Sequence, residues 1–228
     1  MKDFLKAYKL YFKTAFSPGC AVLGVILMLF HFLSVFVLGW AHLKESKRET
    51  VMFSVLLVLH FFGILFFQRY NKMLQNKVFF SFKNAKLYYT VIPMAVVGSF
   101  FLIVDIISFI MSLCLCGGEF AGDLLVFYSA GTVLTTLFHV TQELPKLSGL
   151  STLAVISTVM ISPPAICYAS GIKYGLGFSL GVDILISLGN YIVGTALIIG
   201  IMTLWWNKSG RSLEFVEKDI WGFRKRRR

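Results

Sequence analysis

Asp105 stands inside the apolar run FLIVDIISFIMSL, with no lysine or arginine in that run to neutralise it. A carboxylate in such a setting, if the run crosses a bilayer, is expensive unless it is paired or wetted. Two kinds of chemistry fit it: a relay for protons or cations, or a structural carboxyl that is protonated or hydrogen-bonded to a neighbouring helix. Relays run through chains of ionisable groups, and this run offers no second one, which favours the structural role. Three histidines are similarly placed: His31, His60 and His139 each fall in a different apolar run. No two of them are spaced i and i+4 on one helix, so no metal-ligand pattern follows, and each reads as a buried polar contact. Cys114 and Cys116 lack a second pair at metal-ligand spacing, and with Cys20 and Cys167 they read as buried free thiols.

Two stripes of small polar residues complete the inventory. Thr132, Thr135, Thr136 and His139 share one face of a helix, as do Ser151, Ala154, Thr158 and Ser162 on the next. Such stripes face other helices, with a lined cavity as the sharper alternative. No GxxxxGK[ST] phosphate loop, HExxH, GxSxG or paired-glutamate signature is present, and no segment between the apolar runs is long enough for a nucleotide-binding domain. The chain therefore reads as a non-enzyme, with no cofactor and no metal of its own.

The elements that carry these residues are six stretches long and apolar enough to cross a bilayer, at 20–41, 51–67, 91–116, 123–142, 149–170 and 182–206. The chain is 57% hydrophobic and only 14% charged, which no water-soluble domain of 228 residues could bury. The expected fold is all-α: a polytopic membrane protein of six transmembrane helices. Of the 22 lysines and arginines, 18 fall on one side of that string, in the N-terminal arm, the second and fourth connections and the C-terminal tail. The positive-inside rule then puts both termini in the cytoplasm. The first run is too long, and has too many spans behind it, to be a cleaved signal. The net charge of +11 sits where anionic lipid would meet it, so nucleic acid is not implied.

Two attachments flank the membrane domain, 19–207, and one basic connection lies within it. In residues 1–18, Lys2, Lys6, Lys9 and Lys13 fall in an arc of roughly 60° on a helical wheel, opposite Phe4, Tyr8, Tyr11 and Phe12. That is the pattern of an interfacial amphipathic helix, lysines toward phosphate and aromatics toward acyl chains, ended by Ser17 and Pro18. The connection 68–90 mixes bases with aromatics, which predicts a short helix against the membrane or a partner. In 208–228, Leu213, Val216, Ile220 and Phe223 predict a second surface helix before a basic tail, behind Trp205 and Trp206 at the interface. Pro163, Pro164, Gly171, Gly175, Gly177 and Gly181 predict a broken helix or re-entrant pair at the outer end of the fifth span. In the sixth span, Asn190 with Gly194 and Ala196 with Gly200 predict close helix packing.

With the arm KAYKLYFKTAFSP leading into six spans, both ends inside, a basic aromatic loop after the second span and a broken fifth span, the layout resembles the membrane (permease) subunits of bacterial ATP-binding-cassette exporters of the second exporter type. The resemblance covers nearly the whole chain and is one of layout rather than of a signature motif. It implies a bacterial plasma-membrane protein that moves an amphipathic or hydrophobic substrate, such as a peptide, antibiotic or lipid. ATP and Mg would be bound by separate ATPase subunits, and a second membrane subunit, identical or homologous, would complete the dimer. By position, Arg69, Lys72, Lys77, Phe80 and Lys83 would contact the ATPase. A pathway bounded by the second and fifth spans would involve His60, Phe61, Phe67, Ser151 and Thr158; Asp105, Thr132, Thr136 and His139 are further candidates.

Other functions fit the same layout. A substrate-binding membrane subunit of a vitamin-type importer also has about six spans, and would bind a small polar ligand tightly by itself. A non-transporting immunity or assembly protein would need no ATPase neighbour, and a proton-coupled carrier would depend on Asp105.

Overall fold

A chain in hydrocarbon must satisfy its backbone hydrogen bonds within itself, which leaves helix as the form for long single apolar stretches. The computed structural model describes residues 2–15, 18–40, 48–75, 85–143 and 177–207. They form six helices and, among the described residues, no strand: α1 (Lys2–Ala15), α2 (Pro18–Trp40), α3 (Arg48–Gln75), α4 (Ala85–Cys116), α5 (Gly118–Glu143) and α6 (Leu180–Trp205). Five of these, α2 to α6, are long and apolar enough to cross a membrane. The predicted span at 149–170, with Pro163, Pro164, Gly171 and Gly175, lies outside the described residues, as does the predicted surface helix beyond residue 207.

Helix limits differ from the hydropathy reading where polar residues continue an apolar helix. α3 runs on through Arg69 and Lys72 to Gln75, and α4 begins at Ala85. The predicted connection 68–90 is therefore largely the ends of two long helices, and only 76–84 lies between them. α5 begins at Gly118 rather than 123, because Gly117 alone makes the turn. Its φ of +92° is a left-handed conformation that favours glycine. Pro18 opens α2, where its missing N–H is no loss.

α3 and α5 are central: 61% of each span lies buried, against 17% for α2 and α6. α5 packs on α3, α4 and α6, while α2 packs on α3 and α4. Valine, isoleucine and leucine crowd the outer surfaces, as at Leu29, Leu33, Ile103, Ile110, Leu185 and Ile192. The interior holds aromatics and short polar side chains. This is the arrangement expected when the surrounding solvent is itself apolar and helix association depends on packing and interhelical hydrogen bonds.

Pro93 lies inside α4 and supplies no N–H to the carbonyl of Tyr89, four residues earlier. The hydroxyl of Tyr70 on α3 donates to that carbonyl at 3.0 Å, and Tyr89 returns its own hydroxyl to the carbonyl of Met73 at 3.3 Å. A proline defect in one helix thus becomes a tie to the next. Trp206 stacks on Tyr89, ring centroids 5.2 Å apart. Trp205 and Trp206, at the end of α6, are both buried against protein.

α1 also departs from expectation. Tyr11 is 1% exposed and donates its hydroxyl to the carbonyl of Phe66 at 2.8 Å. Tyr8 hydrogen-bonds Ser99 at 2.5 Å, and the Phe12 ring lies 6.3 Å from Phe66. Tyr8 and Tyr11 face α4 and α3, where one hydroxyl and one carbonyl receive them, while Phe12 stays partly exposed. Lys6, Lys9 and Lys13 are exposed, beside exposed Leu5 and Leu10.

Of the small-residue pairs on α6, Gly194 receives the side chain of Val133 from α5, while Gly200 has open space around it. Asn190 donates to Ser129 of α5 at 3.0 Å. Cys20, Cys114 and Cys116 form no disulfide among the described residues, and Cys114 is exposed rather than buried.

Candidate functional site

Polar side chains inside the bundle gather in four groups, each made by a pair or triple of helices. The first joins α2, α3 and α4. His31 places Nδ1 2.8 Å from the Ser54 hydroxyl and Nε2 2.9 Å from that of Ser108, so both ring nitrogens are engaged. Ser54 and Ser108 also reach the carbonyls of Val51 and Val104 in their own helices. Ser34 approaches Ser54 at 3.1 Å.

The second group holds Asp105. It is fully buried on α4 and accepts the Tyr191 hydroxyl of α6 on Oδ2 at 2.8 Å. Thr132 of α5 lies beside the same tyrosine hydroxyl without closing a hydrogen bond of ordinary geometry. Tyr128, also on α5, is within electrostatic reach of Asp105, and its ring meets His31 edge-on at 5.9 Å. Oδ1 of Asp105 and the hydroxyl of Tyr128 have no hydrogen-bonding partner among the described residues.

The third group lies between α3 and α5. His139 stacks on Phe67 at 5.9 Å and stands 6.2 Å from His60. It rests on the bare backbone of Gly63, where an added Cβ would fall 2.9 Å from Nε2. Phe67 is 1% exposed and Phe61 packs edge-on to Phe62 at 5.3 Å. Thr136 is buried one turn before His139, with its hydroxyl unpartnered among the described residues.

The fourth group was not legible from hydropathy. Asp183 on α6 is 1% exposed, and its carboxylate sits against Gly122 of α5. The neighbouring Asp123 is buried as well, and the two carboxylates interact electrostatically. Neither oxygen of Asp183 has a hydrogen-bonding partner among the described residues, nor does the Ser187 hydroxyl one turn further along α6. Asp105 is thus not the sole acid within the apolar helices. Asp123 and Asp183 fell at the predicted span edges, and α5 and α6 start early enough to enclose them.

The sequence-derived candidates divide accordingly. His60, Phe67 and His139 come together between α3 and α5, with Thr136 buried one turn from His139, whereas Phe61 lies toward Gly24 of α2; Asp105 and Thr132 meet at Tyr191. Lys72 is exposed and Arg69 half-buried in the last turns of α3. Lys77, Phe80, Lys83, Ser151 and Thr158 lie outside the described residues. Tyr191, Tyr128 and Ser187 were missed; the i, i+4, i+8 spacing of Asp183, Ser187 and Tyr191 was the signal that could have found them. Among the described residues, no three of His, Cys, Asp and Glu are grouped to hold a metal ion. What these groups can do is accept and donate hydrogen bonds and hold protons. No family model matches the chain, and neither a curated protein nor a solved structure does so.

Proposed function

We propose that the chain is the membrane subunit of an ATP-driven exporter in a bacterial plasma membrane, working with separate ATPase subunits and a second membrane subunit. ATP and Mg belong to the ATPases; the cargo is amphipathic or hydrophobic. The observation that carries this reading is the seating of α1. Its tyrosines are tied to α3 and α4 by hydrogen bonds at Phe66 and Ser99, while Lys6, Lys9 and Lys13 face outward with Leu5 and Leu10. In this reading α1 lies along the membrane surface on the basic, cytoplasmic side, and its ties to α3 and α4 would pass a push on to them. The exposed Lys72 at the end of α3 extends the same basic surface.

Purification of the full chain from its native membrane in mild detergent tests the reading. An ATPase should accompany it, and Lys72→Glu with Lys77→Glu should abolish that association. Recovery of the chain without any ATPase, with transport unaffected by the charge reversals, would remove the proposal.

A further inference from the structure

Every buried side-chain oxygen or nitrogen that lacks a hydrogen-bonding partner among the described residues belongs to α4, α5 or α6. Unsatisfied polar atoms are rare in proteins and cost about 1–3 kcal/mol each when left so. Those of Thr136 and His139 belong to the group between α3 and α5; the others, from Asp105, Ser112, Tyr128, Thr132, Asp183 and Ser187, lie on three helices that pack on one another.

Their order along the helices is informative. On α6, Asp183, Ser187 and Tyr191 succeed one another by one turn on a single face. The last of them binds Asp105. This line starts at the end of the bundle opposite α1 and descends about 12 Å, eight residues at 1.5 Å each. Successive members stand about 6 Å apart, a gap that one bridging water spans. At the top, Asp183 rests on Gly122, where any Cβ would collide with its carboxylate, and Asp123 adjoins it.

We infer that Asp183, Ser187, Tyr191 and Asp105 form a proton path, water-bridged between turns, that leads from the end of the bundle opposite α1 to the carboxyl of Asp105. Asp183, at the start of the line, is the first to take up the proton. Its carboxyl then releases that proton to a bridging water; the Ser187 hydroxyl accepts one proton as it passes its own to the next water. The Tyr191 hydroxyl accepts one in turn as the hydrogen it donates passes to Oδ2 of Asp105. One proton moves and none is created.

Several observations favour a proton over a larger ligand. Gly122 presses directly on the Asp183 carboxylate, leaving no width for cargo there. A metal such as calcium takes about six to eight oxygens, whereas Asp123, Asp183 and Ser187 offer fewer. Among the described residues, the titratable groups facing the line are Asp123 and Tyr128 from α5, with His31 from α2 beyond Tyr128; His139 on α5 and His60 on α3 lie deeper. Neither α5 nor α6 contains a lysine or arginine, and the one lysine of α4, Lys86, stands in its first turn at the far end. Among the described residues Asp105 and Asp183 have no basic partner, and a carboxyl in such surroundings is neutralised by a proton. The inference does not depend on the exporter reading.

The test is infrared spectroscopy of the full chain reconstituted in vesicles and moved from water to D2O. A protonated-carboxyl band lost in D105N should be present in the wild type and should exchange promptly. In D183N and in S187A the same band should persist but exchange about 100-fold more slowly, the size of effect typical of a positioned proton-transfer group. S187A removes a single oxygen and serves where D183N does not fold. Absence of any Asp105 carboxyl band would overturn the path, as would unchanged exchange in S187A. A band that disappears on adding sodium at constant pH would instead assign the line to a metal cation and overturn it too.

Discussion

Tyr191 and Asp105 hold α6 to α4 through one hydrogen bond of 2.8 Å between a phenol and a buried carboxyl. Interhelical bonds of this kind in a bilayer contribute about 0.6 kcal/mol on average and up to about 1.7. Tyr191→Phe should therefore destabilise the protein by about 1 kcal/mol in a detergent unfolding titration. In combination with Asp105→Ala the second loss should be smaller than when made alone. Strict additivity of the two would mean that the bond contributes nothing.

Pro93 supports a sharper cycle. Tyr70→Phe strips the Tyr89 carbonyl of its side-chain donor at a place where the helix offers none. The expected cost is about 1–3 kcal/mol, that of a buried unsatisfied acceptor. In a Pro93→Ala background the helix regains the missing N–H, and Tyr70→Phe should then cost markedly less. Thermal melts of the four proteins measure it; equal costs in both backgrounds would show that the proline is not what the tyrosine serves.

Gly122 and Gly98 make a matched pair. An alanine methyl at 122 would strike the Asp183 carboxylate, whereas at 98 nothing lies within 4 Å. Gly122→Ala should cost about 1–3 kcal/mol by overpacking. Gly98→Ala should be neutral or stabilising, since alanine is the better helix former. Unfolding midpoints of the two variants decide the matter, and Asp183→Ser should relieve the Gly122→Ala defect.

Apolar length and charge asymmetry made five of the helices legible, because a bilayer demands long uninterrupted stretches and little else of them. Their ends were less legible. Arg69 and Lys72 continue α3 past the apolar run, since a helix that leaves the hydrocarbon need not stop there. Asp105 and the threonine stripe announced themselves as polar residues in apolar surroundings. Asp183 did not, for a carboxylate at a span edge looks like a solvated terminus until the facing glycine is known. Tyr191 and Tyr128 read as ordinary span residues, and only the crossing of α4, α5 and α6 turns their hydroxyls toward Asp105. Tyr8 and Tyr11 had the right helical face but the wrong neighbour, because periodicity tells which residues share a side and not whether lipid or protein covers it.

His31 allows hydrogen bonding and volume to be separated. Its ring fills the space between α2, α3 and α4 and engages Ser54 and Ser108. Each serine also has a carbonyl acceptor in its own helix, at Val51 and Val104. Loss of the imidazole therefore leaves neither hydroxyl stranded. His31→Leu, which keeps most of the volume, should cost about 1–2 kcal/mol, near the net value of the hydrogen bonds lost. His31→Ala opens a cavity among three helices as well, and should cost about 3–5 kcal/mol, as truncation of a large buried side chain does. Unfolding titrations of the two variants separate the terms. Should leucine prove as damaging as alanine, the serines do not fall back on their carbonyls, and His31 is the keystone of the hydrogen-bonded group rather than its filler.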